Sequence, residues 1–169
     1  MSDFDPTAFD IDFDPTAKRM YGVALHGNTP FDVPFISNIE GNLWQGGCEN
    51  GLVLPDNIKH VISLYKWEDY THGPLKTHEV VEMYDSNDEV DSDEVDRLAN
   101  LVNELLATGE DVLVHCQAGL NRSSLIAARS LMLRDKNPLS AVEAIILVRK
   151  SRSQACLCNR TFEQWLLER

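Results

Sequence analysis

The chain has 169 residues, room for one domain with a real hydrophobic core. Its 27 Asp and Glu against 15 Lys and Arg give a formal net charge of −12, which opposes long-range attraction to nucleic acid or anionic lipid. Four cysteines do not make a disulfide framework at this length, no apolar run approaches the ~18 residues of a membrane span, and MSDFDPTAFDIDFD has neither the basic nor the apolar segment of a secretory leader, so a cytoplasmic protein with free thiols and neither nucleic-acid nor membrane partners is expected.

Residues 3–8 and 12–17 both read DFDPTA, acidic and with a proline in each copy, and residues 1–22 are therefore expected to form a flexible arm ahead of a single domain spanning 23–169. From residue 34 the pattern turns globular: FISNIEGNLWQGG reads as a hairpin closed by Glu40-Gly41-Asn42, and HVISLY (60–65) as a short buried strand. THEVVEMY (77–84) alternates loosely and reads as another strand; DSNDEVDSDEVD (85–96) then carries seven acids in twelve positions. Val95, Leu98, Leu101, Val102, Leu105 and Leu106 recur at helical spacing, with Gly109 as a stop. DVLVH (111–115) is a buried strand, SSLIAARSLMLR (123–134) a helix, Asn137-Pro138 a cap and first turn for the next helix, and NRTFEQWLLER a terminal helix. Strands mixed with long helices imply an α/β fold with a central twisted, mostly parallel sheet flanked by helices.

The chemistry concentrates in VLVHCQAGLNRSS, residues 112–124. A strand ending at Cys116 passes through Gln117, Ala118, Gly119, Leu120 and Asn121 and enters a helix at Arg122. Such a loop can turn several backbone N–H groups inward as an anion nest at the positive end of the helix dipole, and Arg122 can close the ring with a fork matched to two phosphate oxygens. A thiol in such a field is favoured as thiolate, the nucleophilic form. Phosphoryl transfer suits the arrangement, because nest and arginine would hold the three equatorial oxygens while sulfur attacks in line. A metal centre has little support, since Cys156-x-Cys158 lacks a second ligand pair and the histidines are scattered.

His115-Cys116 followed by Arg122-Ser123 resembles the HC(x5)R(S/T) signature of the cysteine-dependent protein tyrosine phosphatases, and VLVHCQAGLNRS is most similar to their dual-specificity branch. NLWQGG, HVISLY, the acidic loop, the Arg149-x-x-Arg152 pair and NRTF (159–162) stand in the family's order, so the resemblance runs from about residue 36 to the end. It implies that Cys116 is a nucleophile forming a phosphocysteine, that Arg122 clamps phosphate, that Ser123 stabilises the departing thiolate, and that His115 orients the loop. No metal or organic cofactor is implied. Asn159 matches a family asparagine and reads as a loop-supporting or helix-capping residue.

The leaving oxygen needs a proton, so a carboxylate must reach over the nest. Asp91 and Glu94 read as a helix cap with its box partner, and Asp93 and Asp96 suit the first helical turns, which leaves Asp85 and Asp88 among the aspartates. The family places its acid about thirty residues before the cysteine, directly after a strand; Asp85 lies 31 before Cys116, and Asp88 stays open as the alternative. The residues between Cys116 and Arg122 carry no charge, unlike the lysines of inositide phosphatases, and the surface is not basic like that of RNA triphosphatases, so a phosphoprotein or aryl phosphate is the expected substrate. Trp67 and Tyr70 are candidates for the pocket rim or for half-buried loop aromatics. Two other readings remain: a catalytically weak phospho-residue binding module on the same nest, and a thiol enzyme of arsenate-reductase or rhodanese type.

Overall fold

The computed structural model describes residues 14–66 and 69–169. A five-stranded sheet is built from β3 (Ile36–Glu40), β4 (Leu43–Gly46), β5 (Ile58–Ser63), β6 (Thr77–Val80) and β7 (Asp111–His115) in the order β3-β4-β7-β5-β6. β3 and β4 form the antiparallel hairpin, with Gly41 at φ 54 in its turn, and all other pairings are parallel. β7 takes the centre because Val112, Leu113 and Val114 are apolar on both faces, as a strand covered on both sides must be.

Val112 and Val114 point into a core shared with all four helices, α1 (Ser92–Leu106), α2 (Arg122–Leu133), α3 (Ala141–Ser151) and α4 (Arg160–Leu167). Leu113 points the other way, against Phe35, Ile36, Leu52, Leu54 and Ile58. One face is thus helical and the other is covered by connecting segments, an α/β fold as the sequence implies. No helix among the described residues is long and apolar enough to cross a membrane.

Asp91 caps α1 by accepting from the Glu94 N–H at 3.2 Å, but the Glu94 side chain turns to Arg97 rather than back to the cap, so only half of the expected box forms. The helix expected to open at Asn137-Pro138 starts three residues later: Asn137 has φ 51, and Ser140 caps α3 in a reciprocal box with Glu143. That box satisfies two orphan N–H groups at once, which the Asn-Pro pair does not.

The expected boundary at residue 22 is also corrected. β1 (Arg19–Ala24) pairs antiparallel with β2 (Thr29–Pro34) through a short turn at His26–Asn28, and the Phe35 and Ile36 N–H groups donate to the carbonyls of Lys18 and Pro15. Residues 14–22 are therefore part of the folded body. The strand was invisible to pattern reading because most of β1 is exposed and no buried face imposes a period of two. The first DFDPTA copy lies outside the described residues.

Gly46 has no room for a side chain, since a Cβ there would sit 2.3 Å from the Phe35 carbonyl oxygen and 2.7 Å from Ile36 Cγ2. Gly46→Ala is expected to lower stability by about 3 kcal/mol, the upper range of overpacking costs, read as a lower urea midpoint with an unchanged slope.

Candidate active site

The Cys116 loop is shaped by what grips its carbonyls. Cys116 donates its N–H to Gly46 O at 3.2 Å, and Gln117 O accepts from Cys48 N–H at 3.0 Å, which staples the loop to the end of β4. Arg152 then reaches in from the end of α3: Nε donates to Gly119 O at 2.7 Å, Nη2 to Ala118 O at 3.2 Å, and Nη1 to Pro34 O and Ser37 Oγ at 2.8 and 3.0 Å. Gln45, fully buried, adds its Nε2 to Gly119 O at 3.1 Å, to Ser123 Oγ at 3.1 Å and to Ser124 Oγ at 2.6 Å. Gly119 adopts φ 68, and a Cβ there would meet the Gly46 carbonyl carbon at 2.4 Å and Arg152 Nη2 at 2.6 Å. With these carbonyls drawn outward, no main-chain hydrogen bond within the described residues originates from the amides of residues 117–122. That is the arrangement of an anion nest.

A cavity of about 210 Å³ opens over this loop, lined by Cys116, Gln117, Ala118, Leu120, Asn121 and Arg122, by Asp85, and by Val23, Ala24, Leu25 and Phe31 of the β1–β2 hairpin. Cys116 Sγ stands 3.3 Å from Ser123 Oγ, on the first turn of α2. Arg122 is buried; its Nη1 donates to Met83 O at 3.0 Å, its guanidinium lies 5.3 Å from the centre of the Tyr65 ring, and its Nε has no hydrogen-bond partner among the described residues. An orphaned buried cationic donor beside a ring of amides matches the chemistry of a phosphate group.

The two candidate acids part company. Asp85 shares the cavity with Cys116, while Asp88 is exposed and lines a different cleft with Tyr84 and Glu89. Asp85 is held by three donors: Asn121 Nδ2 at 3.0 Å on one oxygen, Asn159 Nδ2 at 2.8 Å and His26 Nε2 at 3.1 Å on the other. Asn121 also accepts from the Asn159 N–H at 2.8 Å, so the loop, the acid and the start of α4 form one network. Asn159 both supports the acid and caps α4, accepting from the Thr161 N–H at 3.0 Å.

His115 lies under the loop. Its Nδ1 is 3.3 Å from Cys116 O, an atom that only accepts, so Nδ1 carries the hydrogen and the single lone pair of Nε2 faces the mutually bonded Ser63 and Tyr70 hydroxyls, 2.6 and 2.9 Å away. Burial pushes the imidazole down to about 4, and burial pushes Tyr70 up to about 12, so both are neutral at physiological pH. Tyr70 therefore belongs to the support behind the loop and not to a pocket rim; Trp67 lies outside the described residues. Among the described residues, no three His, Cys, Asp or Glu side chains gather as a metal site.

Residues 54–169 match the family described as dual specificity phosphatase, catalytic domain. The chain belongs to this family. A protein named "Putative tyrosine-protein phosphatase" from Amsacta moorei entomopoxvirus is 27% identical over 129 residues, which covers 70% of this chain and 77% of that one. In fold, the chain is similar to human DUSP28, with a TM-score of 0.66 at 16% identity over 80% of this chain and 92% of that one. It is also similar to OH1 of Orf virus, described as a tyrosine phosphatase with triple substrate specificity, with a TM-score of 0.60 at 20% identity over 79% of this chain and 84% of that one. The phosphatase is thus a cysteine-dependent protein phosphatase of the dual-specificity type, and membership favours neither a bare binding module nor a thiol-transfer enzyme.

Pattern reading did not assign Gln45, Ser63 or His26, and it noted Arg152 without a role. A glutamine or serine inside a strand is silent in sequence, although a buried amide at a core position demands partners. His26 sits in a hairpin whose strands were themselves not anticipated.

Because the folded state protonates His115 only near 4 while the unfolded chain does so near 6.5, unfolded protein binds more protons between those values. Stability is expected to fall as pH drops through this window, by about 3 kcal/mol from this residue. Urea midpoints at stepped pH values check it: the acid-side slope should be shallower in His115→Gln than in the parent protein.

Proposed function

We propose that the protein hydrolyses phosphotyrosine and/or phosphoserine and phosphothreonine monoesters in proteins through a phosphocysteine intermediate on Cys116. The observation that carries this reading is that one small cavity holds the Cys116 thiol, the loop amides, Arg122 and a single carboxyl group, Asp85.

In the first step the Cys116 thiolate attacks phosphorus in line with the departing ester oxygen. The amides of Gln117, Ala118, Gly119, Leu120, Asn121 and Arg122 and the Arg122 guanidinium take the equatorial oxygens, where negative charge grows. Asp85, protonated, gives its proton to the leaving oxygen and becomes a carboxylate. In the second step that carboxylate takes a proton from water as water attacks the phosphocysteine, and Ser123 Oγ donates to sulfur as the thiolate leaves. Neutral His115 fixes the Cys116 carbonyl and adds no charge behind the nest.

The acidic surface suits this substrate class only if binding is local. The cavity's wall of Val23, Leu25 and Phe31 offers apolar surface to the group that bears the phosphate, with no lysine placed for a second one. A phosphoprotein side chain or an aryl phosphate fits that lining better than a polyphosphorylated headgroup.

Hydrolysis of para-nitrophenyl phosphate should be abolished in Cys116→Ser and in Arg122→Ala. Asp85→Asn should lower kcat/KM on phenyl phosphate, whose leaving group is poor, by about 10²-fold or more, and much less on para-nitrophenyl phosphate. Full turnover by Cys116→Ser would end the phosphocysteine reading. Capture of phosphotyrosine against phosphoserine peptides by Cys116→Ser separates the two substrate types.

A further inference from the structure

Asp85 is the point where a segment outside the matched family region enters the chemistry. The family match begins at residue 54, whereas His26 lies in the turn of the β1–β2 hairpin, held there by Gly27 at φ 68 and Asn28 at φ 48 and by the Thr29 hydroxyl donating to His26 O at 3.4 Å. Its Nε2 is 3.1 Å from Asp85 Oδ1 and 3.3 Å from the Asp85 carbonyl oxygen. The main-chain oxygen can only accept, so Nε2 carries a hydrogen and donates it, shared, to the main chain and side chain of the same residue.

The donors around Asp85 are unequally divided. Oδ1 receives His26 and Asn159, whose Nδ2 also donates to Ser86 O at 2.8 Å; Oδ2 receives only Asn121, a residue of the Cys116 loop. A carboxylic acid carries its proton on one oxygen. Placed on Oδ1 it would face two N–H groups, which is repulsive; placed on Oδ2 it faces one, which comes from Asn121 of the Cys116 loop. The His26 contact to the main-chain oxygen fixes the start of the loop at the same time.

We infer that His26 is a positioning residue for catalysis: with Asn159 it occupies Oδ1 of Asp85, so that the proton to be delivered resides on Oδ2, the oxygen bonded to the Cys116 loop through Asn121. The inference rests on Asp85 being the general acid. The hairpin is then part of the active site in two respects, as an apolar wall through Val23, Leu25 and Phe31 and as the donor that orients the acid. Because the effect runs through proton delivery, it scales with how much the leaving group needs a proton.

The test measures kcat/KM of the full chain on phenyl phosphate and on para-nitrophenyl phosphate for His26→Ala, His26→Gln, Asp85→Asn and the double variant His26→Ala with Asp85→Asn. His26→Ala should lose roughly tenfold on phenyl phosphate and less than about twofold on para-nitrophenyl phosphate. His26→Gln, which keeps an N–H donor, should recover most of that loss, and adding His26→Ala to Asp85→Asn should cost nothing further. An equal loss on both substrates, no rescue by glutamine, or additive losses in the double variant would each overturn the inference. If Asp85→Asn alone showed no leaving-group dependence, the general-acid assignment would fail and this inference with it. If Asp85→Asn showed the dependence and His26→Ala did not, only the role of His26 would fall. Were His26→Ala to destabilise the hairpin, the glutamine variant and its cycle with Asp85→Asn decide the matter.

Discussion

The site depends on a single backbone constraint: the carbonyls of Ala118 and Gly119 must point away from the space above Cys116. Main-chain N–H and C=O groups are obligatory partners for something, so turning the carbonyls outward is possible only where donors wait for them. Arg152 and Gln45 are those donors, and Gly119 supplies the left-handed conformation that makes the turn. The anion nest is in this sense the complement of a cation sink on the loop's outer side.

Arg152 has a second effect. Burial pushes its guanidinium below the usual arginine range, though an arginine is basic enough to stay charged in a protein. Its hydrogen bonds go to carbonyl and hydroxyl oxygens and to the Met20 sulfur, and among the described residues no carboxylate pairs with it. In a chain of net charge −12, Arg152 and Arg122 place two cations on opposite sides of one short loop. Attraction of a phosphate is therefore a short-range property of the cavity, set against a repulsive background.

What was legible in the sequence was local. Cys116, Gly119, Arg122 and Ser123 lie within eight consecutive residues, and the strand before and helix after them carry strong periodic signals, so the loop could be read directly. Asp85, the proposed acid, was singled out by its place 31 residues before Cys116, as the resemblance implies, and by the strand ahead of it, although β6 ends at Val80, four residues earlier than the alternation to Tyr84 suggested. The supports were not legible for a physical reason: Arg152 bonds across 33 residues, Gln45 across 74 and His26 across 59, and nothing in a linear pattern encodes those distances. The hairpin escaped notice because its exposed strand has no buried face, and α3 was started too early because a proline after an asparagine mimics a cap that Ser140 and Glu143 provide.

The position of β4 has a consequence for how the site comes into being. β7 slots between β4 and β5, and the Cys116 loop takes its shape from Gly46, Gln45 and the carbonyl of Pro34, all contributed by the first third of the chain, and from Arg152 near its end. Contacts of such long sequence separation form late, after the entropic cost of closing the intervening chain has been met. During synthesis Cys116 emerges before Arg152, which buttresses its loop. The loop geometry is thus an emergent property of the completed sheet, and under the proposed function the ability to bind an oxyanion would report that the whole chain, and not merely its signature segment, has reached its final topology.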